Sequence, residues 1–340
     1  MTQPATSDPA QADPAQAEQL AAEFIQDVKH LRHEIGKVIV GYRDVIDAVL
    51  TCLLCDGHAL LEGVPGVGKT LLVNTLATAL DLKFNRIQFT PDLMPADVTG
   101  TTVISEDPAT NTRCLQFQSG PIFANVVLAD EINRATPKTQ SALLEAMQEH
   151  SVTSGTTTHK LPPPFIVLAT QNPLEMEGTY PLPEAQLDRF LFKILFSFPD
   201  AAEIAEILER TTSLAVPTAS RIMGAEQVLA MQRTVREVPV ADHVRDYAIR
   251  LMLNTHPERE KAPEITRNYV RYGSSPRGAQ ALILGGKLRA LLDGRFSLSR
   301  EDVDQVAPLA LRHRMVLNFE GEAAGMTTDA VLDELLRLTK

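Results

Sequence analysis

The stretch LLEGVPGVGKT, residues Leu60–Thr70, decides the fold. Gly63 is followed by four residues and then by Gly68-Lys69-Thr70, between an apolar strand-like run and a helical stretch, which is the P-loop pattern in its proper context. Glycines let the backbone turn tightly so that N–H groups point at phosphate oxygens, and the helix start adds positive partial charge. The stretch therefore predicts a phosphate-binding loop. Its predicted nucleotide-binding residues are Gly63, Val64, Pro65, Gly66, Val67, Gly68, Lys69, Thr70 and Leu71.

The chemistry of such a loop requires a metal and a base, and the run VVLADE, residues 126–131, ends in two carboxylates. Lys69 is expected to reach the β- and γ-phosphates of ATP, while Thr70 and Asp130 hold Mg²⁺. Glu131 is then placed to accept a proton from the attacking water. Alone, a strand-end acidic pair would more simply cap the next helix. The P-loop upstream favours the metal site.

A second apolar run, FIVLATQNP, ends in the amide Asn172. Asn172 is predicted to orient the attacking water or to sense the γ-phosphate. The alternative is a turn-forming Asn before Pro173, which the composition also allows. The order of the three features along the chain favours the catalytic interpretation, because neighbouring strands of one sheet would bring their ends together.

Short apolar runs alternate with helical stretches through the first part of the chain. This alternation predicts an α/β fold with a doubly wound parallel sheet, whose strands are buried on both faces. Two insertions, about 92–122 and about 149–165, interrupt the rhythm, and the second resembles a hairpin around Gly155. Helices dominate after about residue 200. We expect a disordered tail over 1–19, an α/β nucleotide-binding domain over 20–200 and a smaller all-helical domain over 201–340.

The composition limits which classes of partner and which cellular location are expected. Acidic residues number 43 against 32 Lys and Arg, giving a net charge of −11 that disfavours nucleic acid and favours protein partners. No apolar run reaches membrane-span length, and the N-terminus lacks signal-peptide features. With three cysteines, these features indicate the cytoplasm. Cys52 and Cys55 form a C-x-x-C near His58, but their apolar helix favours burial over a metal or redox role.

Two further motifs complete the set, LPEAQLDRF at residues 182–190 and SSPRGAQAL at residues 274–282. With GVPGVGKT, ADEINRA and ATQNP in order before them, the chain resembles the MoxR family of AAA+ ATPases over roughly residues 20–335. The resemblance implies an ATPase domain followed by a helical lid, assembled as a ring that is normally a hexamer. It also implies a chaperone-like role on protein clients, often with a von Willebrand factor A-type partner.

The resemblance assigns a role to each motif residue. It implies that Lys69 and Thr70 belong to Walker A, Asp130 and Glu131 to Walker B, Asn172 to sensor 1, Arg189 to the arginine finger, Arg277 to sensor 2, and Val40 and Gly41 to the adenine region. Tyr42 stands where many relatives carry Gln. Arg134 and Lys138 are better interpreted as ion-pairing residues than as catalytic ones.

For two arginines, Arg189 and Arg277, we also predict how each would reach a nucleotide. Arg189 would supply a cation to the nucleotide of the next subunit, with Asp188 holding it in position. Arg277 lies in the first turn of a lid helix with Ser275 as its N-cap, so it would reach the γ-phosphate if the lid folds over the site.

Four functions remain open from the sequence. An ATP-hydrolysing ring that remodels or activates a protein client is favoured. A nucleotide-gated regulatory scaffold with slow turnover is the first alternative. A nucleic-acid motor and a threading unfoldase are less favoured, because the insertions hold few basic residues and show no aromatic–apolar–Gly pore loop.

Overall fold

The computed structural model describes residues 14–106, 113–172, 178–213 and 217–339. Elements of the first domain, in chain order, are α1 (Pro14–Val38), α2 (Arg43–Leu54), β1 (Ala59–Glu62), α3 (Lys69–Ala79), β2 (Phe84–Gln88), α4 (Pro95–Thr99), β3 (Gly100–Glu106), β4 (Arg113–Ser119), β5 (Val126–Asp130), α5 (Pro137–Glu149), β6 (Ser151–Ser154), β7 (Thr157–Lys160), β8 (Ile166–Gln171), α6 (Glu184–Leu187) and β9 (Phe192–Leu195). A short 3₁₀ turn, Ile132–Arg134, follows β5.

A five-stranded sheet in the order β2-β5-β8-β1-β9 forms the centre of this domain, and every strand pair is parallel. Alternate strand residues face opposite sides. Leu61 and Leu128 join the core on one side of the sheet, whereas Leu60 and Val127 join the core on the other. Burial on both faces explains the continuous apolar runs and confirms the doubly wound parallel sheet.

Helix α1 corrects the predicted extent of the N-terminal tail. It begins at Pro14, so residues 14–19 are helical, whereas the tail prediction for residues 1–13 lies outside the described residues. Pro is tolerated in a first helical turn, and the Ala, Gln and Glu that follow are good helix formers. An apolar stripe then anchors the helix, with Phe24, Val28, Leu31 and Ile35 all buried at three- and four-residue spacing.

Both insertions contain antiparallel hairpins, β3–β4 and β6–β7. The second turns at Gly155, whose φ of 61° lies in the left-handed region that favours glycine. The hairpins contact each other, because the rings of Phe117 and His159 stack at 3.8 Å. Thr102 Oγ1 and Ser154 Oγ also lie 3.1 Å apart.

The C-terminal part is mostly helical and packs against α1, α2 and β9. Its elements are α7 (Ala201–Thr212), α8 (Ala225–Glu237), α9 (Asp242–Leu253), α10 (Glu264–Tyr269), β10 (Val270–Tyr272), α11 (Pro276–Leu292), α12 (Arg300–Leu311), β11 (Val316–Leu317), α13 (Phe319–Ala323) and α14 (Thr328–Leu338). The helical lid is confirmed, with one addition, a two-stranded antiparallel ribbon of β10 and β11. Among the helices described, none is long and apolar enough to cross a membrane.

The C-x-x-C pair is part of the packing of α2. Cys52 and Cys55 are both buried and unbridged, and Cys55 Sγ lies 3.3 Å from Leu284 O on the lid. Burial raises the pKa of both thiols, that of Cys55 to about 12, which disfavours the thiolate that metal binding requires. Nearby His58 accepts the Val167 N–H at Nδ1 and so donates from Nε2 to Met147 O, each at 3.0 Å. In the described part of the chain, no cluster of three His, Cys, Asp or Glu could hold a metal.

Candidate nucleotide-binding site

The predicted phosphate loop connects β1 to α3. Gly66 and Gly68 adopt φ values of 84° and 86°, a left-handed conformation that glycine takes without strain. Gly68 precedes the first residue of α3 without a side-chain cap, so the first N–H groups of the helix face the loop. Lys69 Nζ donates to Gly63 O at 2.6 Å, which turns the side chain back over the loop. The loop is therefore built to bind an anion.

The two carboxylates follow β5 at the same edge of the sheet. Asp130 Oδ1 accepts a hydrogen bond from Thr170 Oγ1 at 2.6 Å. The same hydroxyl accepts the Glu131 N–H at 2.8 Å. Glu131 has a φ of 56°, a strained conformation for a non-glycine residue of the kind that clusters at functional sites. Thr170 thus orients both residues. The sequence alone did not predict this role, because within the ATQN stretch a function was assigned only to Asn172.

A cavity of about 400 Å³ brings the predicted catalytic residues together. Its lining residues are Pro65, Gly66, Gly68, Lys69, Thr70, Leu71, Arg86, Asp130, Glu131, Thr170 and Asn172. Burial lowers the pKa of Lys69, while Asp130, Glu131 and Glu62 oppose that shift. Sheet order explains the assembly, because β8 lies between β1 and β5 and its end carries Asn172 between the loop and the carboxylates.

The donor set of this cavity fits Mg²⁺. The Thr70 hydroxyl and the Asp130 carboxylate are hard oxygen donors, the type that Mg²⁺ prefers together with its own waters and substrate phosphates. Bound there with ATP, the metal would neutralise phosphate charge. No soft ligand lines the described cavity.

A second, mainly apolar cavity of about 250 Å³ adjoins the first and shares Gly66, Gly68 and Leu71 with it. Its other lining residues are Val38, Ile39, Val40, Tyr42, Val67, Leu72, Phe196, Pro199, Ile207, Arg210 and Thr211. The Tyr42 hydroxyl donates to Ser197 O at 2.8 Å, and its ring centroid lies 5.3 Å from that of Phe196. An apolar slot beside the phosphate loop suits a purine base.

Three predicted binding residues line neither of these two cavities. Gly41 has a φ of 67°, and an added Cβ would lie 2.1 Å from Glu203 Oε1, so this glycine serves the turn before α2. Gly63 is buried, and an added Cβ would lie 2.7 Å from Phe196 Cβ. Val64 contributes its carbonyl, 3.5 Å from Lys69 Nζ. All three support the site through the backbone.

Arg189 and Arg277 lie close to each other, outside the cavity of the phosphate loop. Both line a cavity of about 340 Å³ near His58 and His150, and neither lines the cavity that contains Lys69. Arg189 Nη1 donates to Leu144 O at 2.9 Å, and Arg277 Nη1 lies 3.8 Å from Asp188 Oδ2. In this arrangement the lid places Arg277 beside Arg189 and not over the phosphate loop of its own chain.

The expectation that Asp188 holds Arg189 is wrong. Asp188 Oδ1 instead accepts from Arg314 Nε at 2.9 Å, and both carboxylate oxygens lie 2.8 Å from Ser275 Oγ. Ser275 also accepts the Arg277 N–H, which confirms it as the N-cap of α11. Asp188 therefore ties the LPEAQLDRF segment to the lid, whereas the Leu144 carbonyl positions Arg189.

Arg314 holds this junction and was missed by sequence reasoning. Only 8% of the residue is exposed, and beyond Asp188 it donates to the carbonyls of Phe190 at 2.6 Å, Leu191 at 3.0 Å and Ala310. A buried Arg with this many acceptors joins two chain segments that are 126 residues apart. Its motif, LRHRM, carries no sequence signal that distinguishes a buried Arg from a surface one.

Replacing Arg314 with Ala is expected to destabilise the protein by about 3–5 kcal/mol. The Asp188 carboxylate would lose its guanidinium partner, and the carbonyls of Asp188, Phe190, Leu191 and Ala310 would each lose a donor. Chemical denaturation followed by circular dichroism measures the effect. Arg337→Ala is the matched control, since Arg337 is largely exposed and pairs with Glu334 on the same helix, so its replacement should cost about 1 kcal/mol or less. Equal losses in the two variants would contradict the proposed role of Arg314.

Parallel strands in the order β2-β5-β8-β1-β9, a phosphate loop after β1, carboxylates after β5 and a helical lid together define a P-loop ATPase of the AAA+ class. The family model of the ATPase family associated with various cellular activities (AAA) matches residues 58–192, and an AAA lid domain model matches residues 262–335. Together with the relatives described next, these matches show that the chain belongs to the MoxR family of AAA+ ATPases.

Three relatives illustrate the likeness. Chaperone MoxR1 of Mycobacterium tuberculosis is 41% identical over 318 residues, covering 94% of this chain and 83% of the relative. The protein YeaC of Bacillus subtilis is 43% identical over 309 residues, covering 90% and 92%. The crystal structure of a Cytophaga hutchinsonii protein assigned as an ATPase superposes with a TM-score of 0.88 at 41% identity, covering 95% and 97%.

Proposed function

We propose that this chain hydrolyses ATP as one subunit of a ring, normally a hexamer, in which arginines of one subunit complete the nucleotide site of the next. One observation carries the proposal: Arg189 and Arg277 lie together, apart from the cavity that contains Lys69, Asp130 and Glu131 of the same chain. Arg277 is exposed and Arg189 is partly buried. At a subunit interface, such a pair of cations would fit a neighbour's phosphates.

Each residue of the site then has a defined task. The loop N–H groups and Lys69 bind the phosphates, and Thr70 with Asp130 would hold Mg²⁺. Asn172 orients the attacking water, and Glu131 accepts its proton at the carboxylate. Thr170 holds Asp130 and the Glu131 backbone in place. Arg189, and with it Arg277, stabilises the charge that develops on the γ-phosphoryl oxygens of the neighbouring site.

The proposed role of the ring is chaperone-like, the remodelling or activation of protein clients. The relative from M. tuberculosis carries the name chaperone, and the net charge of −11 favours protein over nucleic acid. A von Willebrand factor A-type partner and a cytoplasmic location follow from the family resemblance and the composition. The alternative is a nucleotide-gated scaffold with slow turnover. Glu131 argues against this alternative, because a scaffold does not require a general base.

Turnover per subunit is expected to rise with protein concentration, because a monomer has no Arg189 facing its own phosphates. The measurement is steady-state ATPase rate over a dilution series, paired with sedimentation to give the assembled fraction at each point. Lys69→Ala supplies the background rate. A rate per subunit that stays constant down to fully monomeric protein would contradict a site shared between subunits.

A further inference from the structure

Arg86 is the cation of the phosphate cavity that the motifs did not identify. It lies on β2, beside β5, and its Nε and Nη2 donate to Asp130 Oδ2 at 3.0 and 2.6 Å. The other oxygen, Oδ1, accepts from Thr170 Oγ1. Both oxygens of the predicted Mg²⁺ carboxylate are therefore engaged by side chains.

The same guanidinium reaches the catalytic base through an amide. Arg86 Nη2 donates to Gln88 Oε1 at 2.6 Å, and Gln88 Nε2 donates to Glu131 Oε2 at 2.8 Å. Arg134 Nη1 donates to the same Glu131 oxygen at 3.1 Å. The residues that engage Asp130 and those that engage Glu131 thus form one hydrogen-bonded chain.

The two side chains of the Arg86–Asp130 pair differ in how freely they can move. The Asp130 side chain is 13% exposed and is held by Thr170, whereas the Arg86 side chain is 48% exposed and has solvent to enter. A guanidinium and a hydrated Mg²⁺ at one carboxylate oxygen repel each other strongly at short range. When the two cations compete, Arg86 is the one that can move.

We propose that Arg86 competes with Mg²⁺ for Asp130, so that nucleotide binding demands more Mg²⁺ than the loop and carboxylate alone would require. Arg86 is a positioning residue in this role, since it acts through Asp130. The inference rests on the proposed function, because it concerns the metal of the same nucleotide site.

The test is a Mg²⁺ titration of the binding of a fluorescent ATP analogue to wild type, Arg86→Ala and Arg86→Gln. The Mg²⁺ concentration at half-maximal binding is expected to fall about three- to tenfold in both variants, the size of one typical net hydrogen bond. Binding in EDTA should be unchanged. Arg134→Ala is the matched control, since it removes one charge beside Glu131 without a contact to Asp130.

Four results would overturn the inference. The Mg²⁺ midpoint could stay at the wild-type value, or Arg134→Ala could lower it as far, which would indicate a general field effect. Weaker binding in EDTA would show that Arg86 contacts phosphate directly. If wild type binds no more nucleotide than Lys69→Ala does, the proposed function is wrong, and this inference is wrong with it. Thermal melting of each variant verifies that it is folded.

Discussion

Arg189→Ala is expected to lower ATP turnover by about 10³- to 10⁵-fold, the range that an arginine finger contributes in phosphoryl transfer. Nucleotide affinity should change little, because Arg189 does not line the cavity that contains Lys69 in its own chain. Steady-state ATPase assays and equilibrium nucleotide binding measure the two quantities. Arg245→Ala is the control, since Arg245 forms an exposed pair with Asp242 on α9.

Mixing variants asks whether Arg189 acts on a neighbouring subunit. Neither Arg189→Ala nor Lys69→Ala should turn over ATP alone. In a mixed ring, some interfaces combine an intact Lys69 from one subunit with an intact Arg189 from the next, so activity should return with subunit exchange. Mixtures that exchange subunits, verified by a labelled chain, and yet recover no activity would exclude the trans assignment.

Glu131→Gln is expected to lower turnover by about 10²- to 10⁴-fold, the usual contribution of a general base. The amide keeps the shape of the carboxylate but cannot accept the proton, so ATP should still bind. Single-turnover hydrolysis and nucleotide binding separate the two effects. Glu145→Gln, on the exposed side of α5, is the control. An unchanged rate for Glu131→Gln would remove this residue from the role of base.

The same variant tests the client proposal. A ring that binds ATP without hydrolysing it should retain clients, so capture with Glu131→Gln should recover protein in ATP and release it in ADP. Lys69→Ala, which should not retain ATP, is the matched control. Tight, salt-sensitive binding to DNA or RNA would instead favour the nucleic-acid alternative.

The sequence by itself determined the elements of the site whose chemistry is local. The phosphate loop needs only glycines, a Lys and a Thr at fixed spacing before a helix, so Gly66, Gly68, Lys69 and Thr70 could be predicted from the stretch Leu60–Thr70 alone. Buried parallel strands leave continuous apolar runs, which predicted the sheet and the strand ends that carry Asp130, Glu131 and Asn172.

Only the tertiary structure decided which distant residues meet. β8 lies between β1 and β5. This order makes Thr170 the partner of Asp130 and places Arg86, from the edge strand β2, on the other carboxylate oxygen. Asp188 pairs with Arg314, 126 residues later, although Arg189 is its neighbour in sequence. Which side chains become partners depends on the strand order and on how the lid packs against the first domain. Both result from many weak contacts along the whole chain, so local spacing in the sequence cannot reveal these partners.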